Sequence, residues 1–312
     1  MSCRQLYFIL ILMLSLAALV AARCPAAESV PPDLAAAAAR QPQSEGNGAL
    51  ESAGRGCRVE RKEFFSRACS STMAYYAFVP AENKEGARYP VLYLLHGAFD
   101  DYTAWKEHAG NSICQLVSKY RLIIVTPEGL SFGWYANSRL VRKNQVETYF
   151  MEELIPDVEI NFPTNRLRGI AGLSMGGHGA FFLCLRHPGV FSSVSSMSGI
   201  LDITRHRKQW KLAELFGPYE GAYAADWDEH SVLRLMERAQ SYICSLPMLI
   251  TVSQSDPCAI DDNRAVHCQL EKMNVCHRYN ESPGGHDWTY WTTQLPVHVS
   301  FHAQHLSEPT EN

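Results

Sequence analysis

The sequence predicts an α/β fold: one mostly parallel central sheet with helices on both faces and an antiparallel hairpin at its N-terminal edge. Three observations point to it. From Val91 onward, short apolar runs alternate with helix-like segments, the pattern of parallel strands covered on both faces by crossover helices. Ahead of them, Val59 to Phe65 and Thr72 to Val79 are β-branched and aromatic runs separated by a polar turn, which is a hairpin signal. Finally, 312 residues that are 46% hydrophobic and 19% charged hold ample material for one large core. The formal net charge of -4 and the lack of a basic stripe interleaved with aromatics give no reason to expect nucleic acid as a partner.

In chain order, residues 1–22 read as a secretory signal peptide, with Arg4 in a short positive region, an apolar run from Leu6 to Val20, and Val20-Ala21-Ala22 suited to cleavage before Arg23. The apolar run is short against the roughly 20 residues that span a bilayer. A secreted or periplasmic protein without stable membrane insertion is therefore expected. Arg23 before Cys24 fits a lipoprotein signal badly. Residues 23–56 are rich in Ala, Pro, Gly, Ser and Glu and bury too little apolar surface to offset their ordering entropy, so they read as a disordered linker. One domain is expected over residues 57–306, followed by a tail at 307–312.

Within the domain, the hairpin and a polar connection from Asn83 to Arg88 lead to strands at Val91 to Leu95, Leu122 to Thr126, Leu167 to Gly172, Phe191 to Met197 and Met248 to Ser253, with a last one near Cys276 to Asn280. Gly177 to Leu185 has the spacing of a helix, as does Asp261 to Met273, whose two leading aspartates suit a helix N-terminus. The segment Leu201 to Ser245 carries Trp210, Phe216, Tyr219, Tyr223 and Trp227 among many charges. It is expected to lay helices over the strand ends rather than to form a lid domain.

The chemistry centres on Gly172-Leu173-Ser174-Met175-Gly176, preceded by an apolar strand and followed by a helix. A serine on such a turn is pushed out at the sheet edge as a nucleophile, and the first free N–H groups of the helix, starting with Met175, face the place where an oxyanion forms. The loop His96-Gly97-Ala98-Phe99-Asp100 follows the Val91 strand. It offers the second oxyanion donor, Ala98 or alternatively Phe99, while His96 reads as a structural histidine. The loop from Pro127 to Asn137 contains Trp134 and Tyr135, either a platform for an acyl chain or sugar ring or an anchor to the core. Asp256 follows the Met248 strand, and Gly284-Gly285-His286 follows the last strand. The order Ser, Asp, His on successive strand ends suits a hydrolase triad. Asp261, Asp262 and Asp287 compete for the acid; the first two suit helix capping, and the last is adjacent to His286.

The run Val-Leu-Tyr-Leu-Leu-His-Gly from Val91, the Gly133-Trp134-Tyr135 loop, the Glu152 to Pro156 segment and Ala171-Gly172-Leu173-Ser174-Met175-Gly176-Gly177 resemble the putative-esterase family of α/β-hydrolases. That family includes tributyrin-type acetylesterases, S-formylglutathione hydrolases, feruloyl esterases and antigen 85-type mycolyltransferases. The resemblance implies an α/β-hydrolase fold with Ser174 as nucleophile, Asp256 as acid and His286 as general base. The turn and loop positions themselves give an oxyanion hole from Met175 and Ala98, and Trp134, Tyr135 and Phe99 are the candidates for contact with substrate. The reaction implied is hydrolysis of a small-molecule or carbohydrate carboxylic ester, with no metal or organic cofactor. An acyltransferase would use the same triad, and a secreted binding module would keep the fold without the activity. Of ten cysteines, removal of the signal leaves nine, an odd number. Cys258 falls either beside the site or in the core.

Overall fold

The computed structural model describes residues 56–81 and 86–306. The expected signal segment, nearly all of the expected linker and the expected tail lie outside the described residues.

The hairpin is β1 (Cys57–Ser66) and β2 (Ser71–Pro80), antiparallel and in unbroken register from Cys57 opposite Pro80 to Ser66 opposite Ser71. The alternating part comprises β3 (Tyr89–Leu95), α1 (Ala104–Tyr120), β4 (Ile123–Pro127), α2 (residues 146–161), β5 (Thr164–Leu173), α3 (Met175–Arg186) and β6 (Ser193–Met197). The middle of α2, Tyr149–Leu154, is π-helical. Short helices follow, α4 (Leu212–Phe216), α5 (Ala224–His230), α6 (Val232–Arg238) and α7 (Gln240–Ile243). The chain closes with β7 (Met248–Ser253), α8 (Ile260–Lys272), β8 (Arg278–Ser282) and α9 (Trp288–His305). One eight-stranded sheet has the order β1-β2-β4-β3-β5-β6-β7-β8. β2 meets β4 antiparallel, and every pairing from β4 through to β8 is parallel.

Side-chain alternation builds the two faces. Val91, Tyr93, Leu95, Ile123 and Val125 face α2 and α3, whereas Leu92, Leu94, Leu122 and Ile124 face α1 and α9. The central strands therefore read as continuous apolar runs, and that is why they are visible in the sequence. The edge strand β8 lies two residues later than expected. Its residues are all half-buried and mostly polar, so the apolar run that marks a strand elsewhere is missing. A disulfide from Cys57 to Cys114 ties the start of the hairpin to α1 across 57 residues. Cross-linking a loop of that length is worth about 4 kcal/mol in the chain-entropy model.

Candidate active site

Ser174 is the single residue between β5 and α3, with φ 51° and ψ -117°. A non-glycine residue there is strained by about 1–3 kcal/mol, and the turn closes only because its neighbours lack side chains. A Cβ on Gly172 would stand 2.3 Å from the backbone of Gly176, and one on Gly176 would stand 2.5 Å from the carbonyl oxygen of His96. The Ser174 N–H donates to the Met197 carbonyl at 3.0 Å, which pins the elbow to β6. Ser174 itself is 8% exposed.

His286 reaches Ser174 from the loop between β8 and α9. Gly284, at φ 152°, takes a conformation that L side chains rarely adopt, and a Cβ there would strike the Tyr290 ring at 2.5 Å. His286 Nε2 is 2.9 Å from Ser174 Oγ, and His286 Nδ1 is 2.7 Å from Asp256 Oδ2. The carboxylate accepts the Nδ1–H, which leaves Nε2 free to accept from the serine hydroxyl. The other oxygen, Asp256 Oδ1, accepts from the N–H groups of Cys258 and Ala259, each at 2.9 Å. Burial opposes the charge on Asp256, but the bonds from His286 and the backbone outweigh it and hold the carboxyl below its ordinary range.

The rival aspartates are engaged elsewhere. Asp287 caps α9, its Oδ1 accepting from the Tyr290 N–H at 2.9 Å. Asp261 is exposed and meets Arg205. Asp262 was expected to cap α8, but no side chain caps that helix. It is instead buried against the segment after β6, accepting from the Asp202 N–H at 3.2 Å and bonding His206 Nε2 at 2.9 Å.

Around the serine, the Met175 N–H belongs to the first residue of α3 and so has no partner one turn back. In the loop after β3, the Phe99 N–H donates to the Ser131 carbonyl at 3.0 Å, so it is not available to an oxyanion. Among the described residues no acceptor takes the Ala98 N–H. His96 Nε2 accepts from the Gly129 N–H at 2.9 Å, and Nδ1 contacts the Gly97 carbonyl at 2.8 Å. These bonds join the two loops, and burial lowers the pKa of the ring, favouring the neutral form.

Of the two roles open to Trp134 and Tyr135, the substrate platform is corrected by their position. Both rings are fully buried. Trp134 Nε1 donates to the Trp210 carbonyl at 3.1 Å, and the Tyr135 hydroxyl donates to the His96 carbonyl at 3.1 Å. The Tyr135 ring fills the space that a Cβ on Gly129 or Gly179 would need. The two residues anchor the loop to the core and to the short helices above it. Phe99 differs, being 75% exposed and packed edge-on to Phe132 with ring centroids 4.8 Å apart. Trp291 was not singled out from the sequence; its ring stands perpendicular to His286 at 5.1 Å. Nothing local distinguishes it from the other aromatics of α9.

A family model described as Putative esterase matches residues 66–302. The chain belongs to the Putative esterase family. Its relatives in that family include an esterase of Mycobacterium tuberculosis, 32% identical over an aligned length of 225 residues, with 64% of this chain and 49% of the relative covered. The chain thus spans about half the length of that relative. An acetyl esterase of Caldicellulosiruptor saccharolyticus is 25% identical over an aligned length of 258 residues, with 74% of this chain and 93% of the relative covered. Among solved structures, a ferulic acid esterase superposes with a TM-score of 0.70 at 26% identity, covering 81% of this chain and 100% of that one. Among the described residues of this esterase-family chain, no helix is long and apolar enough to cross a membrane.

Proposed function

We propose that this chain is a serine carboxylic-ester hydrolase working through an acyl-enzyme on Ser174. One observation carries the reading: a serine at φ 51° whose Oγ lies 2.9 Å from a histidine that is itself 2.7 Å from a buried aspartate. In the proposed mechanism, His286 Nε2 takes the Ser174 proton as Oγ attacks the ester carbonyl. Asp256 holds the imidazole tautomer and stabilises the imidazolium. The N–H groups of Met175 and Ala98 receive the oxyanion. His286 then returns the proton to the leaving alcohol, and water attacks the acyl-enzyme by the same steps in reverse.

Short acyl, acetyl or feruloyl-type esters, some of them carried on carbohydrate, are the proposed substrates. The names of the acetyl esterase and ferulic acid esterase relatives support that class, and the exposed Phe99 with the half-buried Phe132 packed against it offers rings at the loop beside Ala98. Export is proposed on the N-terminal sequence pattern, and the Cys57–Cys114 disulfide supports an oxidising compartment. Replacing Ser174→Ala tests the reading with p-nitrophenyl acetate. The kcat should fall by about 10⁴ to 10⁶ with a nearly unchanged circular-dichroism melt. A variant keeping a tenth of the activity overturns it.

A further inference from the structure

Cys258 stands two residues after Asp256, half-buried, and its thiol is free of any disulfide. One ligand atom each from Asp256, Cys258 and His286 lie within 4.8 Å of one another, a grouping of three such donors not repeated among the described residues. A carboxylate oxygen, a thiolate sulfur and an imidazole nitrogen form a donor set that suits Zn²⁺ and other thiophilic cations. Bonds of about 2.0–2.3 Å set tetrahedral ligand atoms roughly 3.3–3.8 Å apart. The carboxylate and imidazole are already in contact at 2.7 Å. To meet that spacing the carboxylate and imidazole have to part by roughly half an ångström or more, and the thiol has to swing inward by about an ångström or a little more; its partial exposure leaves it room to turn.

We propose that Asp256, Cys258 and His286 form an inhibitory site for Zn²⁺ or a like cation, laid over the catalytic relay. The inference rests on the triad reading above. The nitrogen of His286 that faces the carboxylate is Nδ1. A cation bound there displaces the Nδ1 proton, and the neutral imidazole then carries its one proton on Nε2. The Cys258 thiol gives its proton to solvent and binds as thiolate, so one proton is released per cation. The fourth position of the cation is open to water. Nε2–H now points at Ser174 Oγ as a donor, so it cannot take the serine proton and hydrolysis stops until the cation leaves.

The test uses the full chain, with Zn²⁺ as inhibitor and Co²⁺ as spectroscopic probe. Zn²⁺ should inhibit ester hydrolysis and EDTA should restore it, while Co²⁺ should give a near-ultraviolet thiolate-to-cobalt band. In Cys258→Ser, and in Cys258→Ala as a second variant, the Zn²⁺ concentration for half-inhibition should rise about tenfold or more. The Co²⁺ band should vanish. Each variant's own metal-free rate is its reference. Equal Zn²⁺ sensitivity in the variants overturns the proposal, as does a band that survives in them through the exposed thiols Cys244 and Cys268, or no band in the wild type. Absent hydrolysis in the metal-free wild type would instead overturn the esterase reading, and the Co²⁺ band would still report on the site.

Discussion

Ser174 and Ser195 each hydrogen-bond a histidine, and the two clusters differ in everything else. Ser195 lies within β6, where its Oγ meets His302 Nε2 and His298 Nδ1, each at 2.8 Å. The chain of bonds continues to Ser193 at one end and Thr251 at the other. All five side chains are completely buried between the sheet and α9. Among the described residues no carboxylate joins them, and the β6 backbone is engaged in the sheet on both sides. Ser174 lies at a strand end, on strained backbone, with an aspartate behind its histidine and helix N–H groups ahead of it. A serine–histidine bond alone is therefore a packing device. Chemistry requires a reachable hydroxyl, a fixed tautomer and donors aimed at the developing charge.

The sharpest way to break the comparison is to truncate both serines. Against the loss of about 10⁴ or more in kcat for Ser174→Ala, Ser195→Ala should leave kcat/KM within about threefold while lowering stability by about 1–3 kcal/mol, because buried ring nitrogens lose a partner. A urea unfolding series read beside the ester assay checks both arms. A Ser195 variant as inactive as the Ser174 variant would mean that the buried cluster has been misread.

Next in size is the pair of aspartates. Asp256→Asn should cut kcat by about 10³ to 10⁴ through the wrong imidazole tautomer. Asp262→Asn should keep activity within about tenfold but cost about 2–3 kcal/mol, since it weakens buried bonds to Asp202 and His206. The same two assays decide, and a reversed ranking would assign the acid to Asp262. Trp134→Ala belongs with the packing residues, and its melt should report a loss of about 3–5 kcal/mol. The order of preference among acetyl, butyryl and feruloyl esters should be unchanged. A reordered preference in a stable protein would return the ring to the substrate.

The buried histidines also set a pH dependence. Burial pushes His298 down to about 3 and His302 well below its ordinary value. An unfolded histidine titrates near 6.5, so below that pH the unfolded chain binds more protons than the folded one. Their contribution is complete above about pH 6.5 and is lost progressively as the pH falls toward 3. Melting temperatures between pH 7 and pH 4.5 should therefore decline, and less steeply in a His298→Gln variant; parallel curves for both proteins would refute this. The smallest effect is expected for Phe99→Ala, an exposed ring whose loss should leave the melt unchanged. It should lower kcat/KM for feruloyl esters by about fivefold relative to acetyl esters, from about 1 kcal/mol of lost ring contact. An unaltered ratio would make the ring incidental.

The alternation of apolar runs and helices, the hairpin ahead of it, and the strand–serine–helix turn are local patterns, and by themselves they determined the sheet, its mixed edge and the place of Ser174 between β5 and α3. They are legible because a strand buried on both faces must be apolar throughout and a tight turn must carry glycine. Tertiary structure alone decided which side chains reach solvent. Trp134 and Phe99 are both loop aromatics in the sequence, yet one is sealed by Trp210, 76 residues away, and the other stands open. Likewise Asp262 reads as a helix-start residue until His206 and the Asp202 N–H, distant in sequence, come to meet it. The Cys57–Cys114 pairing follows the same rule, because spacing along the chain carries no record of which helix lies against which strand. Exposure and partnership depend on neighbours that are far away in sequence, and only the packed chain brings them together.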